Sequence, residues 1–513
     1  MGDVLSESIA IRMAPQPTLG TDPTAGWAQL QIDKASLQNW KKTLQTVERN
    51  IHSKFMVPRK GDVVGWSVSP ALAHDCNKDF MDLVAEPAFR CVGQHPGGTD
   101  QRVYRPTVVV DGGGSNDSFT VPSNGALPNG VLIYARGFTN TANNALFVTA
   151  GTSTATAIKV ATATLVAEAT APANATLDVV GFQGASADIT MNASGHLTST
   201  VLDFTTLDLK KGMLLKIGGT ASNTFFATAA INGWAYIAST PTANLIELEG
   251  WTFTPAADTG TGKTIQIFAS SLYRNYAIDD AAYAKKLLAG ELEEPLAGAD
   301  STTRYQYLEG LLPNTLEIAA PLKSKITATL SMIGTDASDP VAVASRVGGA
   351  GSVAGDSPAQ AYSPLATALM DTANDLAFIR IRDSGGALLA EVNDWNLTIG
   401  NAVSPKEVQG TPGAVGHHVG EFTHKLTTTA YYTDSDQVAA AADNRDLDFD
   451  VCLWNHQFAF AFRLPACAMR NDNRQYEANM QVKLSFETPA FGSESTNVAG
   501  QLCIFGYVPG SES

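Results

Sequence analysis

At 513 residues, with 44% hydrophobic, 8% aromatic and only 16% charged positions, the chain can bury several cores and is too poor in charge for long solvated helices. Its 34 Lys and Arg against 50 Asp and Glu give a formal charge of -16, so the surface as a whole repels nucleic acid and sequence-reading DNA binding is excluded. Five scattered cysteines without a C-x-x-C pair point to a reducing compartment, and the absence of an export signal or of a run of about 18 apolar residues predicts a chain neither exported nor membrane-spanning.

The first strands are "SIAIRMA" and "WAQLQIDKASLQNW", joined by a Pro/Gly loop. A polar stretch from Lys41 to Gly61 follows, then the strand "DVVGWSVS". Ser69 as a cap, Pro70 at the first helical position, and Leu72, Cys76, Phe80 and Leu83 at spacings of four, four and three predict a helix that Pro87 stops. From Pro106 to Ser270 charge is sparse and short apolar runs such as "GVLIYARGF" and "TIQIF" alternate with turns. The layout that opens at Gly130 recurs from Gly212, so this insert reads as two small β modules, 106–182 and 183–270.

Ordinary composition returns after Leu272, with return strands in "NTLEIAAPLKSKITATLSMIG" and a flexible Gly/Ala/Ser loop over 341–365. The earlier order of elements then repeats: "LAFIRIR", the turn "DSGG", "ALLAEVNDWNLTI", a polar stretch from Gly400 to Gly420, and "EFTHKLTTTAYY". A helix capped by Asp434, with Val438, Ala439 and Ala442 on its small face, precedes the return strands "QFAFAFRLPACAMR" and "YEANMQVKLSFETPAF". The fold class is mainly β: two β-sandwich or half-barrel modules, each with a flanking helix, plus the inserted modules. The first module is discontinuous, 1–105 with 271–340, and the second spans 366–513.

The sequence carries few motifs of catalytic or ligand-binding chemistry. "GTGKT" at Gly260–Thr264 resembles the end of a phosphate loop, but Ala257 stands where a glycine is required and a strand follows, so it reads as a hairpin turn. His417, His418 and His424 match no zinc spacing and read as a polar loop entering a strand. Asp443, Asp446, Asp448 and Asp450 read as the solvent face of a strand, Ser67 as an ordinary strand residue, and Cys76 as core. No catalytic, cofactor-binding or metal-binding residue is assigned, and no enzyme is expected. A β-rich surface adhesin that binds carbohydrate is the rival reading, with Trp234, Tyr236 and Trp251 as its candidate platform.

The phrases "IRMAPQPTLGTDPTAGWAQLQIDKASLQNWKKTLQTVERN", "GDVVGWSVSPALAHDCNKDFMDLVAEP" and "PLKSKITATLSMIGTD", and the run from "LLAEVNDWNLTIGNAV" to "VKLSFETPAF", resemble tail tube proteins of long-tailed, non-contractile bacteriophages. The resemblance covers about two thirds of the chain. It implies a structural virion protein of the tail, assembled in the host cytoplasm. Its rings would stack into a tube whose continuous β-barrel conducts double-stranded DNA into the host. The implied partners are the chain itself, the tape measure, terminator and baseplate or tip proteins, and DNA in transient, non-specific passage, with no membrane and no cofactor. Because the chain carries two copies of the module, a trimeric ring is favoured over a hexamer. A lumen poor in Lys and Arg is expected, since a basic wall would capture DNA by counterion release. In such tubes a long loop reaches the neighbouring ring, which places inter-ring contacts on Lys41, Glu48, Arg49, Lys54, Arg59 and Lys60 in the first polar stretch, and on Lys406, Glu407, His417 and His418 in the second.

Overall fold

The computed structural model describes the chain apart from residues 1–8, 24–26, 31–38, 48–60, 98–102, 123–126, 173–174, 296–302, 343–369, 384–385, 390–391, 432–438, 476–482, 490–497 and 511–513 and the single positions 114, 152, 163, 441 and 469. The chain is mainly β, and among the described residues none of its sheets closes into a barrel. Its body rests on the strand Thr303–Ala320, 18 residues long, which belongs to a sheet of 12 strands. The first half of that strand pairs with Leu287–Pro295, which pairs with Ala10–Gln16 and through it with Ala28–Leu30. Its second half lies between Thr327–Ile333 and Val392–Gly400. Seven strands are thereby placed in the order Ala71–Asp75, Thr327–Ile333, Thr303–Ala320, Val392–Gly400, Thr423–Tyr431, Lys483–Pro489, Arg470–Gln475. Gly310 marks the change of direction: its φ is 62°, its N–H donates to Gln16 Oε1 at 2.7 Å, and a Cβ there would lie 2.4 Å from Thr335 Oγ1.

The predicted first helix is corrected in its first half. Residues Ala71–Asp75 are a strand, and the helix spans Lys78–Phe89. Leu72, His74 and Cys76 are buried in alternation, and the polar His74 in that series conceals the period of two. The cap is Asn77, whose side chain accepts from the Phe80 N–H at 2.9 Å, not Ser69. Pro87 stands inside the last turn, which runs on to Phe89 and ends at Arg90 in the left-handed region. Pro87 removes only one hydrogen bond near the end of the helix. In the second half, Asp434 and Val438 lie outside the described residues. Ala439, Ala440 and Ala442 have helical backbone, closed by the Asp443 N–H to Ala439 O bond at 2.8 Å.

A second sheet, in the order Ser271–Arg274, Gln501–Phe505, Ala459–Cys467, Leu447–Trp454, Leu376–Asp383, Gly386–Leu389, packs over the larger one with the helix beside it. Its alternating residues enter two different cores. Phe449, Val451, Phe460, Phe462, Leu502 and Ile504 meet Leu316, Leu330, Leu397 and Leu426 of the first sheet. Cys452, Ala459, Ala461, Cys503 and Phe505 face the insert. The second sheet is therefore buried on both faces.

Within the insert the same connections occur twice. The strands Val108–Val110, Ser118–Thr120 and Ala157–Lys159 form a small sheet with the same order as Thr190–Met191, Leu197–Thr198 and Leu245–Ile246. Asn144 accepts from the Phe138 N–H and donates to the Phe138 carbonyl at 2.8 and 2.9 Å, and Asn232 does the same to Phe226 at 2.9 and 2.9 Å. Glu168 takes the Asn140 N–H and Asp258 the Thr228 N–H, at 2.9 and 2.8 Å. The two copies join edge to edge where Thr176–Gln183 pairs with Gln266–Ala269. A Cβ on Gly181 would come within 2.0 Å of the Ile267 carbonyl at that seam.

The insert docks through charge as well as apolar surface. Arg380, Asp450, Arg463 and Gln501 stand opposite one another across four strands of the second sheet. Arg380 pairs with Asp450 and donates to the Trp251 carbonyl at 2.9 Å, and Arg463 bridges Asp448 and Glu249 at 3.0 and 2.7 Å. Gln501 donates to the Gly212 carbonyl at 3.0 Å. Removing one member of a buried pair leaves its partner desolvated and uncompensated. Asp450→Ala is expected to lower stability by about 3 kcal/mol, read as the shift of the urea unfolding midpoint; an unchanged midpoint would show that the pair does not hold the insert down.

Candidate functional site

Among the described residues, the seven-strand part of the larger sheet has a second face that no core cluster covers. Leu316, Ile318, Ala328, Leu330, Leu397, Ile399 and Leu426 point into the core, so the alternate residues point the other way. Rows set by register read Thr329, Glu317, Thr398, Lys425 and Thr327, Ala319, Asn396, Thr427. Thr315 and Ser331 exchange a hydrogen bond of 2.5 Å in a further row. The face is polar and mixed in charge: Asn396 donates to Glu317 at 2.5 Å, Lys325 pairs with Asp75 at 2.8 Å, and Lys425 is exposed.

The two polar stretches build hairpins at one end of the body. Lys42–Val47 pairs with Asp62–Val68, and Ser404–Lys406 with Gly416–His418. From Thr43 to Val47 and from Asp62 to Val64 every residue of the first hairpin is exposed, including Leu44, Val47, Val63 and Val64. Its base is anchored. Lys42 pairs with Asp336 at 2.9 Å and lies 4.5 Å over the Trp66 ring, and Val68 bridges to Gly334. Burial, with Asp22 and Asp336 nearby, holds the Glu309 carboxyl beside this ion pair above its usual range.

The second hairpin lies against that base. The Trp66 N–H donates to the Pro412 carbonyl at 2.9 Å, a Cβ on Gly413 would meet Trp66 Nε1 at 2.6 Å, and His417 Nε2 donates to the Gly310 carbonyl at 2.5 Å. Burial lowers the His417 pKa and Lys285 lowers it further, while the Gly310 bond opposes them. Of the candidate contact residues, Lys41, Lys406, Glu407 and His418 are exposed and His417 is half-buried. Glu48, Arg49, Lys54, Arg59 and Lys60 lie outside the described residues. The sequence reading missed Trp66 and Pro412 as the joint between the hairpins; its available signal was "DVVGWSVS", whose adjacent valines break strict alternation.

The other motifs resolve plainly. Gly260 and Gly262 have φ of 58° and 70° in a turn that leads into Gln266–Ala269. The acidic run is corrected: Asp448 and Asp450 alternate as expected, but their face is covered by the insert, not solvent. All five cysteines are buried and free, and burial pushes the Cys76 thiol up to about 12. Trp234 and Tyr236 are buried in the insert's core, and Trp251 donates to the Gly195 carbonyl at 3.2 Å, so these aromatics do not form an exposed sugar platform. Among the described residues no group of three or more His, Cys, Asp and Glu could hold a metal ion, and no helix is long and apolar enough to cross a membrane.

Residues 240–487 match the protein family described as phage tail tube protein. That span runs from the end of the insert through both sheets of the body to within two residues of the end of the strand Lys483–Pro489. No curated protein shows significant similarity to the chain.

His424 is no loop residue: it is buried against Phe89 and Phe422, and neither ring nitrogen has a hydrogen-bond partner among the described residues. Burial lowers its pKa from 6.5 to about 3. Between those values the unfolded chain binds a proton that the folded chain refuses, so stability falls as pH drops through this window and is unaffected by the group above it. The stability difference between the native protein and His424→Phe is expected to be flat above pH 6.5 and to change by up to one proton's worth of slope below it. A difference curve flat down to pH 3 would contradict a neutral buried ring.

Proposed function

From a chain whose residues 240–487 match phage tail tube protein, we propose that the protein is the structural subunit of the tail tube of a long-tailed, non-contractile phage. Copies join side by side into rings, and the rings stack into the conduit through which the genome leaves the virion. The carrying observation is that the family match falls on most strands of both sheets of the body, with Ala10–Gln16, Ala28–Leu30, Ala71–Asp75 and Gln501–Phe505 outside it. The reading also draws on the open polar face, which suits a lumen wall where cations are offset by carboxylates, as Lys325 is by Asp75, so that the wall offers DNA little net positive charge to bind.

Among the described residues, Ala71–Asp75 and Arg470–Gln475 are the terminal strands of the seven-strand order. A head-to-tail contact between copies closes into a ring if the rotation closes. Both halves of the chain contribute to this sheet, which supports 1–105 with 271–340 and 366–513 as two tube modules, and a trimer over a hexamer. The insert, 106–182 and 183–270, docks on the second sheet, opposite the polar face, and so sits on the outside of the tube. The hairpins supply inter-ring contacts. Tape measure, terminator and baseplate or tip proteins are the further partners of such a tube, assembled in the host cytoplasm.

Negative-stain imaging of the purified protein is expected to show annular particles and hollow cylinders with three-fold symmetric end views. Compact monomers at every concentration would overturn this reading, and six identical lobes per ring would overturn the trimer.

A further inference from the structure

The insert meets the body at a second charged place besides the dock of Arg380, Asp450, Arg463 and Glu249. At the start of the helix Lys78–Phe89, Lys78 meets Asp178 of the insert strand Thr176–Gln183. Asp178 has no solvent exposure, and neither of its carboxylate oxygens has a hydrogen-bond partner among the described residues. Its charge is balanced across short gaps by Arg136 at 3.4 Å and Lys78 at 3.9 Å. A Cβ on Gly506 would lie 3.3 Å from the Asp178 Cβ, so the carboxy-terminal segment closes over the same spot. Burial lowers the Arg105 pKa, with Asp178 opposing it, and burial raises the Asp79 pKa, with Lys78 and Arg136 opposing it.

Lys78 makes little sense for the helix alone. It is the first helical residue and its side chain is 3% exposed. An ammonium there stands against the positive end of the helix dipole. Its pair with Asp82 at 2.7 Å has the basic residue on the amino-terminal side, the weaker order for residues four apart. The carboxylate that accounts for a buried cation at this position is Asp178, which belongs to the insert.

The helix start is in turn tied to the strand Ala71–Asp75, from which Cys76 and Asn77 separate it. His74 of the strand stacks on Phe80 of the helix, with ring centroids 4.6 Å apart and planes at 6°. The Cys76 N–H donates to the Ile326 carbonyl at 3.0 Å, and Asn77 caps the helix. Strand, cap and first helical turn are therefore one packed unit. Among the described residues the strand has a single ladder partner, Thr327–Ile333, so its other support comes from the helix.

We infer that the insert is a clamp on the body: Asp178 holds Lys78, and through the start of the helix it steadies the strand Ala71–Asp75 at the end of the seven-strand order. Lys78 and Asp178 are positioning residues for that strand. The clamp acts within one chain and holds whether or not copies assemble. Coupling of this kind is reciprocal, so a contact that fixes the strand also tightens the insert, and a contact on the insert steadies the strand.

Amide hydrogen exchange of the full-length protein, resolved by peptide, tests the clamp. Asp178→Asn removes the charge and keeps the shape, and Lys78→Met, which leaves Arg136 to the carboxylate, supplies the reading if Asp178→Asn does not fold. In either variant exchange at Ala71–Asp75 and in the first helical turn is expected to be faster by about tenfold or more. The double variant is expected to be no faster than the faster single one, because both changes break the same contact. Asp450→Asn, which loosens the dock on the second sheet, is expected to leave Ala71–Asp75 at its native rate. Native exchange at Ala71–Asp75 in the single variants would overturn the clamp. Equal acceleration by Asp450→Asn would overturn it as well, by showing general loosening, and so would additive effects in the double variant. None of these outcomes bears on the tube reading, which rings and cylinders decide.

Discussion

Every sheet has two faces, and the physical requirement that each face meet a compatible environment organises this molecule. The second sheet is covered twice, by the first sheet and helix on one side and by the insert on the other. Among the described residues, the first sheet is covered once in its seven-strand part. A large apolar residue on its remaining face would be exposed, and the chain places Thr, Ser and Asn there in register with Ala319, Glu317 and Lys425. The layered order is thus open polar face, main core, second sheet, insert, and the proposed inside and outside of the tube follow from that order alone.

The insert is bound into this order and does not hang from it as a pendant domain. Its two copies share one sheet across the Gly181 seam and one continuous core, and that core includes Cys452, Ala461, Cys503 and Phe505 of the second sheet. Arg380 and Arg463 reach across from the body to backbone and carboxylate groups of the insert. Removing the insert would leave Asp450, now without solvent exposure, and its arginine partners on a bare surface. The body and insert have therefore become one folding problem.

Much of this was legible from residue pattern. Strand runs such as "GVLIYARGF", "LAFIRIR" and "QFAFAFRLPACAMR" sit in observed strands because alternation and β-branched content are local properties. The repeat within the insert was legible at Gly130 and Gly212, each of which has positive φ before a buried strand. The misreadings are those that local pattern cannot settle. Leu72, Cys76 and Phe80 fit a helical spacing, and only the pairing of Ala71–Asp75 with Thr327–Ile333 makes the first part a strand. Asp448 and Asp450 alternate as an outward face does, but what covers that face comes from Glu249 to Trp251, some 200 residues earlier in the chain. His424 looked like part of a polar cluster because its neighbours in sequence are polar, while its neighbours in space are Phe89 and Phe422. The joint between the hairpins, Trp66 to Pro412, left only the adjacent valines of "DVVGWSVS" as a local signal, and they do not name a partner in the other half of the chain.

The most direct test of inside and outside uses the fact that all five native cysteines are buried and free, so an added surface thiol reports alone. Thr329→Cys places a thiol on the polar face and Val201→Cys one on the insert, where Val201 is 74% exposed. With a maleimide carrying a polymer too bulky to enter a tube, both thiols should react in dissociated subunits. In assembled particles only the thiol at position 201 should react. Equal labelling of position 329 before and after assembly, or protection of position 201 in its place, would contradict the layered account.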